Sequence, residues 1–293
     1  MNKIKLFAYA VSILLLFQVK TFAWGDTGHM TVAQIAYQNL DSQAKKNRAD
    51  ELAGLIRFQN ENIEKSYEFV TSACWMDDIR DAPMFEPLKD WHFITQRYII
   101  NNAVADEPPP PVNAASIIYW LGHKLNDKDE ADLKKAYYLA ELNHLIGDIH
   151  QPLHSVTRYT PDRKGGDRGG NFFPLDDTAP RKNLHSYWDA GGGLFGFRDV
   201  GRPLNDNRRK MLVTYANKIM SDYPKSAMVN EINDLKPDNW AKEGFNLAKM
   251  HVYQGIKEDV IPSEPYQANA QKVSARRIAL AGYRLAKLLN KVL

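Results

Sequence analysis

The chain has very little cysteine: Cys74 is its single thiol in 293 residues. An intramolecular disulfide is therefore impossible, and stability has to come from a hydrophobic core or from bound metal. The sequence also lacks any Asn-x-Ser/Thr acceptor for N-glycosylation. Beyond the first residues, no segment approaches the roughly 18 uncharged apolar residues that a membrane-spanning helix needs. These absences argue against a disulfide-stabilised scaffold and against a stable membrane anchor.

The N-terminus does carry an apolar run, and it has the pattern of a secretory signal. Lys3 and Lys5 precede the apolar residues 6–17, and residues 21–23 form a small-x-small cleavage site. Cleavage after Ala23 would leave a domain of residues 24–293, enough for a sizeable core. The segment 1–23 holds three lysines and no acid, so its removal takes the formal net charge from +3 to 0. We expect an exported monomer, periplasmic or secreted, in which bound cations supply any attraction for an anion.

The rest of the sequence predicts one all-α domain. Apolar residues recur at helical spacing after Thr31, which could cap a first helix. Two proline- or glycine-rich loops, at 108–111 and 160–170, separate helical patterns, and 93–98 could form a minor strand. No internal repeat or long linker divides the chain. The further predicted helices span 115–125, 131–149, 211–220, 240–252 and 267–292.

Histidine and aspartate recur at the spacing of metal ligands. His144 and Asp148 stand four residues apart, as do His185 and Asp189, so a helix places each pair on one face. Any one such pair is weak evidence, but neutral imidazole and carboxylate are the ligands of hydrolytic zinc sites. Further candidates are Asp77, His92, His154 and His29, and also the amino and carbonyl groups of Trp24 if cleavage makes it the first residue. One ion needs three or four ligands, so the sequence predicts a polynuclear zinc site. His123, His150 and His251 are interpreted as structural or surface residues.

With these motifs in order, the chain resembles the zinc-dependent single-strand nucleases of the nuclease S-one and nuclease P-one type, as a bacterial member. The match runs from Trp24-Gly25-Asp26-Thr27-Gly28-His29 through Trp188-Asp189 and continues weakly to Trp240-Ala241-Lys242-Glu243 and 281–286. The resemblance implies a mainly helical fold of the zinc phospholipase C and single-strand nuclease type, with three zinc ions in a cleft. It also implies hydrolysis of single-stranded DNA and RNA to 5′-phosphate products, with possible 3′-nucleotidase activity on nucleotides.

The resemblance assigns a role to each matched residue. Asp77, His92 and His144 would bind one ion, which Asp148 bridges to a second ion held also by His29 and Trp24; His154, His185 and Asp189 would bind the third. Arg80 and Asn171 would contact the scissile phosphate, and a nucleobase would stack on Phe93. Thr95 occupies the position of an acid that contacts the base in fungal members.

Metal-assisted phosphodiester hydrolysis fits this set of residues, because paired metal ions can activate water near neutral pH. Our hypothesis from the sequence is that Asp77 orients the attacking hydroxide. Arg80 and Asn171 would stabilise charge on the phosphoryl oxygens.

Two other functions remain open at the level of sequence. A zinc phospholipase C would share the helical fold and three zinc ions, but the short spacing from Trp24 to His29 and the ligand Asp189, in place of Glu, favour the nuclease. The other alternative is a non-catalytic periplasmic metal-binding protein. Arg80 and Asn171 argue against it, because metal binding alone does not need residues that contact a phosphate.

Overall fold

The protein is mainly helical in the computed structural model, which describes residues 24–57, 64–106 and 108–293. The predicted signal segment, residues 1–23, lies outside the described residues. No helix in the described ranges is long and apolar enough to cross a membrane. The helices of these ranges are α1 (Asp26–Gln38), α2 (Gln43–Ala53), α3 (Phe69–Ser72), α4 (Trp75–Ile79), α5 (Ala114–Asn126), α6 (Asp132–His150), α7 (Leu184–Asp189), α8 (Asp206–Asp222), α9 (Val229–Asn233), α10 (Pro237–Leu247) and α11 (Glu264–Val292).

Short elements connect these helices. Two three-residue strands, β1 (Arg97–Ile99) and β2 (Thr157–Tyr159), pair in parallel. The described ranges also contain 3₁₀ and π-helical segments. The 3₁₀ segments are Pro83–His92, Pro152–Ser155, Gly191–Gly193 and Lys225–Met228, and the π-helical turn is Ala248–Val252. The prediction of an all-α class is therefore confirmed, and the strand predicted at 93–98 is displaced to β1.

The first helix begins earlier than the sequence predicted. α1 starts at Asp26 after Gly25, so the prediction that Thr31 caps it is wrong. Thr31 lies buried in the second turn, where its hydroxyl donates a hydrogen bond to the carbonyl of Thr27 at 2.6 Å. A hydroxyl satisfied by the preceding turn is compatible with a helix interior. The earlier start places His29 inside α1 and therefore fixes its orientation.

α6 lies at the centre of the fold and is buried along its second half. α11 packs on both α1 and α6, while α2 and α5 flank α6. Every residue of α6 from Leu139 to His150 is buried. Because a helix enclosed on all sides has no solvent to satisfy its polar groups, each polar side chain there needs a partner or a function.

His150, at the end of α6, is held by protein groups. Its Nδ1 donates to the carbonyl of Ile146 at 2.8 Å, and its Nε2 accepts from Arg284 at 2.9 Å. Arg284 and Arg277 both form ion pairs with Glu243, at 2.7 and 2.6 Å. This network ties α10 and α11 to the end of α6 and agrees with the structural interpretation of His150.

Glu141 is the exception on α6, because it is buried with no compensating charge. Its side chain is only 8% exposed, and Oε2 has no hydrogen-bond partner among the described residues. Burial raises the pKa of Glu141 to about 8. At pH values between the ordinary pKa of glutamate and about 8, the folded protein therefore binds a proton that the unfolded chain does not. The free energy of unfolding consequently falls as the pH rises through that range.

We expect the Glu141→Gln variant to be more stable than the parent at pH 8, by about 2 kcal/mol, and nearly equal to it at pH 4.5. The amide keeps the size of the protonated carboxyl and cannot ionise. Urea unfolding at both pH values measures the difference. Glu243→Gln is the matched control and should be destabilising at pH 8, because it leaves two buried arginines without their anion. A Glu141→Gln variant with no gain at pH 8 would contradict the assignment.

Candidate metal centre

Separate segments of the chain place histidine and aspartate side chains around one buried region. α6 presents His144 and Asp148 on one face, as the spacing predicted, and α7 does the same for His185 and Asp189. Pro152 ends α6 and opens the one-turn segment that carries His154. The remaining candidates come from α1 (His29), from α4 (Asp77) and from the end of segment Pro83–His92 (His92).

Asp148 is the hub of the first two ligand groups. Its Oδ2 lies 2.9 Å from Nδ1 of His92 and 3.2 Å from Nε2 of His144. Its Oδ1 lies 3.3 Å from Nε2 of His29. Asp77 completes this region, with Oδ1 at 3.9 Å from Nε2 of His144. The carboxylate of Asp148 therefore faces three imidazoles, and the carboxylate of Asp77 lies near one of them.

The potential ligand atoms fall into three clusters. In each, atoms that could bind a metal lie within 4.8 Å of one another: His29, His144 and Asp148; Asp77, His92 and His144; and His154, His185 and Asp189. All eight residues of these clusters are buried, and His144 belongs to two of them. The third group is separate in residues but adjacent in space, since the imidazole Nδ1 of His154 donates to the carbonyl of His92 at 2.6 Å.

Backbone carbonyls orient three of these imidazoles. Nδ1 of His144 lies 2.7 Å from the carbonyl of Ala73, and Nδ1 of His185 lies 2.7 Å from the carbonyl of Gly169. His154 makes the equivalent bond to His92. Donation through Nδ1 fixes the tautomer and leaves Nε2 as the acceptor that faces the cluster, which is the arrangement usual for metal-binding histidines.

The N-terminal segment lies against the same centre. The indole Nε1 of Trp24 donates to the carbonyl of Gly147 at 2.9 Å, and the amide of Gly25 donates to the carbonyl of Asp189 at 3.0 Å. Gly147 is required by close approach, because a Cβ there would lie 2.7 Å from Nδ1 of His29. Trp24 and Gly25 therefore lie between the group that contains His29 and the group that contains Asp189.

Burial sets the direction of most pKa shifts at the centre, whereas the pKa values of His144 and Asp148 shift the opposite way because each faces the charge of the other. Burial lowers the pKa of His29 to about 4 and that of His185 to about 3, and raises the pKa of Asp77 and Asp189. These imidazoles are neutral at physiological pH and can donate lone pairs to a metal. Burial also opposes the charge of Asp148, but His144 and the facing imidazoles hold its pKa well below the usual value.

The unpaired atoms of the centre fit metal ions. Within the described ranges, potential ligand atoms are buried without a hydrogen-bond partner on five of the side chains: His29, Asp77, Asp148, His154 and Asp189. Orphaned buried polar atoms are costly, so their concentration at one point calls for a cation. Imidazole nitrogen with carboxylate oxygen is the donor set of zinc sites, and the residues present therefore fit zinc.

The other predicted site residues lie around this centre. Arg80 follows α4. Its positive charge lowers the pKa values of Asp77, His185 and Asp189, although burial is the largest cause of the shift at each of these residues. Asn171 donates from Nδ2 to the carbonyl of Arg168 at 2.8 Å, while its Oδ1 is buried and unpaired among the described atoms. Phe93 and Thr95 are half-buried just after His92.

Sequence reasoning assigned no role to Gln151, which contacts a candidate ligand directly. Its Nε2 donates to Oδ1 of Asp189 at 2.7 Å, leaving Oδ2 unpaired toward the third group. Its own Oε1 accepts from the amide of Leu153, which fixes the side chain. The signal in the sequence was the position of Gln151 between Asp148 and His154.

Comparison with known proteins gives one consistent family. The family model described as S1/P1 Nuclease matches residues 24–293. The chain is similar to Endonuclease 3 of Arabidopsis thaliana, with 26% identity over 97% of this chain and 94% of that protein. It is similar to Nuclease S1 of Aspergillus oryzae, with 25% identity over 93% and 92% of the two chains. Nuclease P1 of Penicillium citrinum is 24% identical over 92% of this chain and 97% of its own length.

Proposed function

The chain belongs to the S1/P1 nuclease family, and from that premise we propose that it is a zinc-dependent endonuclease that hydrolyses single-stranded DNA and RNA to 5′-phosphate products. Cleavage of 3′-mononucleotides at the same centre is part of the proposal. The observation that carries it is the set of three buried His/Asp groups. Two of these groups share His144 and both face Asp148, and the third lies beside them.

We assign three zinc ions to these groups. Asp77, His92 and His144 would hold the first, and Asp148 would bridge it to the second, next to His29. His154, His185 and Asp189 would hold the third. The three distinct clusters of ligand atoms and the unpaired carboxylate oxygens support this division.

Trp24 would complete the second site through its backbone. Its indole donates to the carbonyl of Gly147, and the indole and the imidazole of His29 both lie against Gly147. In the full chain the nitrogen of Trp24 is in a peptide bond with Ala23, so an amine ligand exists only after cleavage there. We therefore propose that export with cleavage after Ala23 and completion of the centre are coupled.

The chain's own residues would orient the substrate and hold its charge. When bound, zinc supplies Lewis acidity, which activates water and neutralises phosphate. Asp77 has an unpaired buried Oδ1 that would orient the attacking water. Arg80 and Asn171 would face the phosphoryl oxygens, where their donor groups stabilise developing negative charge. Phe93 would stack an unpaired base, which favours single strands.

Asp77→Asn is expected to keep the fold and lose at least about a hundredfold in kcat, since even the indirect partners of metal ligands typically carry about 10- to 100-fold effects. The amide has the size of the carboxyl but cannot carry its charge. Single-stranded DNA turnover at saturating substrate, with circular dichroism as the control for folding, measures the effect. Near-normal turnover would remove Asp77 from the mechanism.

One set of assays tests the proposed function. Zinc-loaded protein purified after export should cleave single-stranded DNA and RNA much faster than duplex, leave 5′-phosphate ends and contain three zinc ions, with Trp24 as its first residue. Ends carrying 3′-phosphate would contradict the assigned bond cleavage. Cleavage of phosphatidylcholine instead of nucleic acid would identify a phospholipase C, and inactivity on all these substrates and on 3′-mononucleotides would favour a metal-binding protein.

A further inference from the structure

The loop that precedes α7 carries an aromatic and cationic pair at the edge of the metal centre. Phe172 is 50% exposed, and the guanidinium carbon of Arg168 lies 5.1 Å from the centre of its ring. We name these two residues the rim pair. We propose, on the premise of the proposed function, that the rim pair is a binding site for an unpaired nucleobase of the substrate strand, in addition to the base on Phe93.

The backbone of this loop is fixed to the third ligand group. The carbonyl of Gly169 accepts from Nδ1 of His185 at 2.7 Å, and the carbonyl of Gly170 accepts from the amide of His185 at 3.3 Å. Gly169 has φ +62°, and a Cβ there would lie 2.4 Å from the carbonyl of Leu153. The rim pair flanks this tightly packed turn, so its distance from the third group is set by the fold.

The conformation of Arg168 is itself constrained. Its φ is +50°, a left-handed value that a non-glycine residue adopts at some cost. Its carbonyl accepts hydrogen bonds from the amide and from Nδ2 of Asn171, at 3.3 and 2.8 Å. The strained residue therefore holds Asn171, whose Oδ1 is buried and unpaired in the described structure, and also presents a guanidinium over Phe172.

Arg168 differs from its neighbouring arginines in its charge balance. Arg158 and Arg163 both pair with Glu258, at 3.3 and 2.8 Å. No carboxylate of the described residues lies within 4.0 Å of the Arg168 guanidinium. An exposed arginine without an acid partner, laid over an exposed ring, offers a planar cationic surface.

Such a surface matches one class of ligand. Unpaired bases stack on aromatic rings and on guanidinium planes, and the flanking phosphates are attracted to the cation. Duplex bases are already stacked and cannot reach it. A nucleobase linked to the phosphate at the metal centre is thus the occupant that the geometry and the charge of the rim pair both favour.

The test compares substrates with and without bases. For Phe172→Ala we expect KM for a twelve-residue oligothymidine to rise about tenfold with kcat unchanged, because each stacked base contributes on that order. KM for an abasic oligomer of the same length should not change, and Phe172→Trp should restore the oligothymidine value. Tyr119→Ala, which removes an aromatic side chain of α5 that is 40% exposed, is the control and should have no effect.

Arg168→Ala separates charge from stacking. It should raise KM for both oligomers and lower the slope of log KM against log salt by about one, which the exposed control Arg57→Ala should not do.

A change below twofold in the KM of Phe172→Ala, or equal losses on the two oligomers, would overturn the proposal. Wild-type protein that cleaves no nucleic acid would instead reject the proposed function; anisotropy of labelled oligothymidine bound to wild type and to Phe172→Ala then decides on the rim pair alone.

Discussion

Asp148→Asn is expected to lose at least two of the three proposed zinc ions and about a thousandfold or more in turnover. Asp148 is fully buried, and its two oxygens face the imidazoles of His29, His92 and His144 at 2.9–3.3 Å. An asparagine replaces one carboxylate oxygen by an amide NH₂ group, which donates hydrogen bonds but does not bind metal ions. Since even indirect partners of metal ligands carry about 10- to 100-fold effects, a carboxylate that faces the imidazoles of two ligand groups should exceed them.

Zinc content by mass spectrometry and turnover of single-stranded DNA measure this effect. Asp129→Asn, at an exposed position between α5 and α6, is the matched control and should retain the parent values. Circular dichroism distinguishes loss of metal from loss of the fold. A folded Asp148→Asn protein with three zinc ions and ordinary turnover would show that Asp148 does not join the two sites.

The helices and their ligand pairs could be predicted because their signals are local. Helical periodicity of four residues places His144 above Asp148 and His185 above Asp189 wherever the helices lie in space. Because histidine and aspartate recur in several short segments of the sequence, the prediction was more than one metal ion. Apolar spacing, which burial in the core enforces, predicted the bounds of α6 to within one residue, whereas α11 begins three residues before its predicted start.

The contacts between distant segments could not be predicted in this way. The rings of His29 and His144 are parallel and 4.0 Å apart, yet they stand more than one hundred residues apart in the sequence. The bond from Gln151 to Asp189 likewise depends on how α6 and α7 meet. Residue spacing along the chain does not predict such tertiary contacts, because the packing of whole helices determines them.

Arg202 is the clearest residue that sequence reasoning missed. Its side chain is 2% exposed and faces Asp78 through two bonds at 2.6 and 2.7 Å, Asp26 at 2.9 Å and Glu64 at 3.4 Å. Asp78 adjoins the candidate ligand Asp77, and Asp26 opens α1. A single arginine thus joins α1 and α4, the two helices that contribute ligands from the N-terminal part of the chain.

We expect Arg202→Met to lower the free energy of unfolding by about 3–5 kcal/mol, because it leaves buried carboxylates without their counter-charge. Methionine preserves much of the volume, so the loss reports charge and hydrogen bonding more than packing. Urea unfolding of the metal-free protein measures it independently of zinc. Arg209→Met removes a half-exposed arginine paired with Glu68 and should cost under about 1 kcal/mol. If the two variants had the same free energy of unfolding, the ion pairs of Arg202 would not stabilise the fold more than a surface pair does. Another interaction would then have to hold α1 against α4.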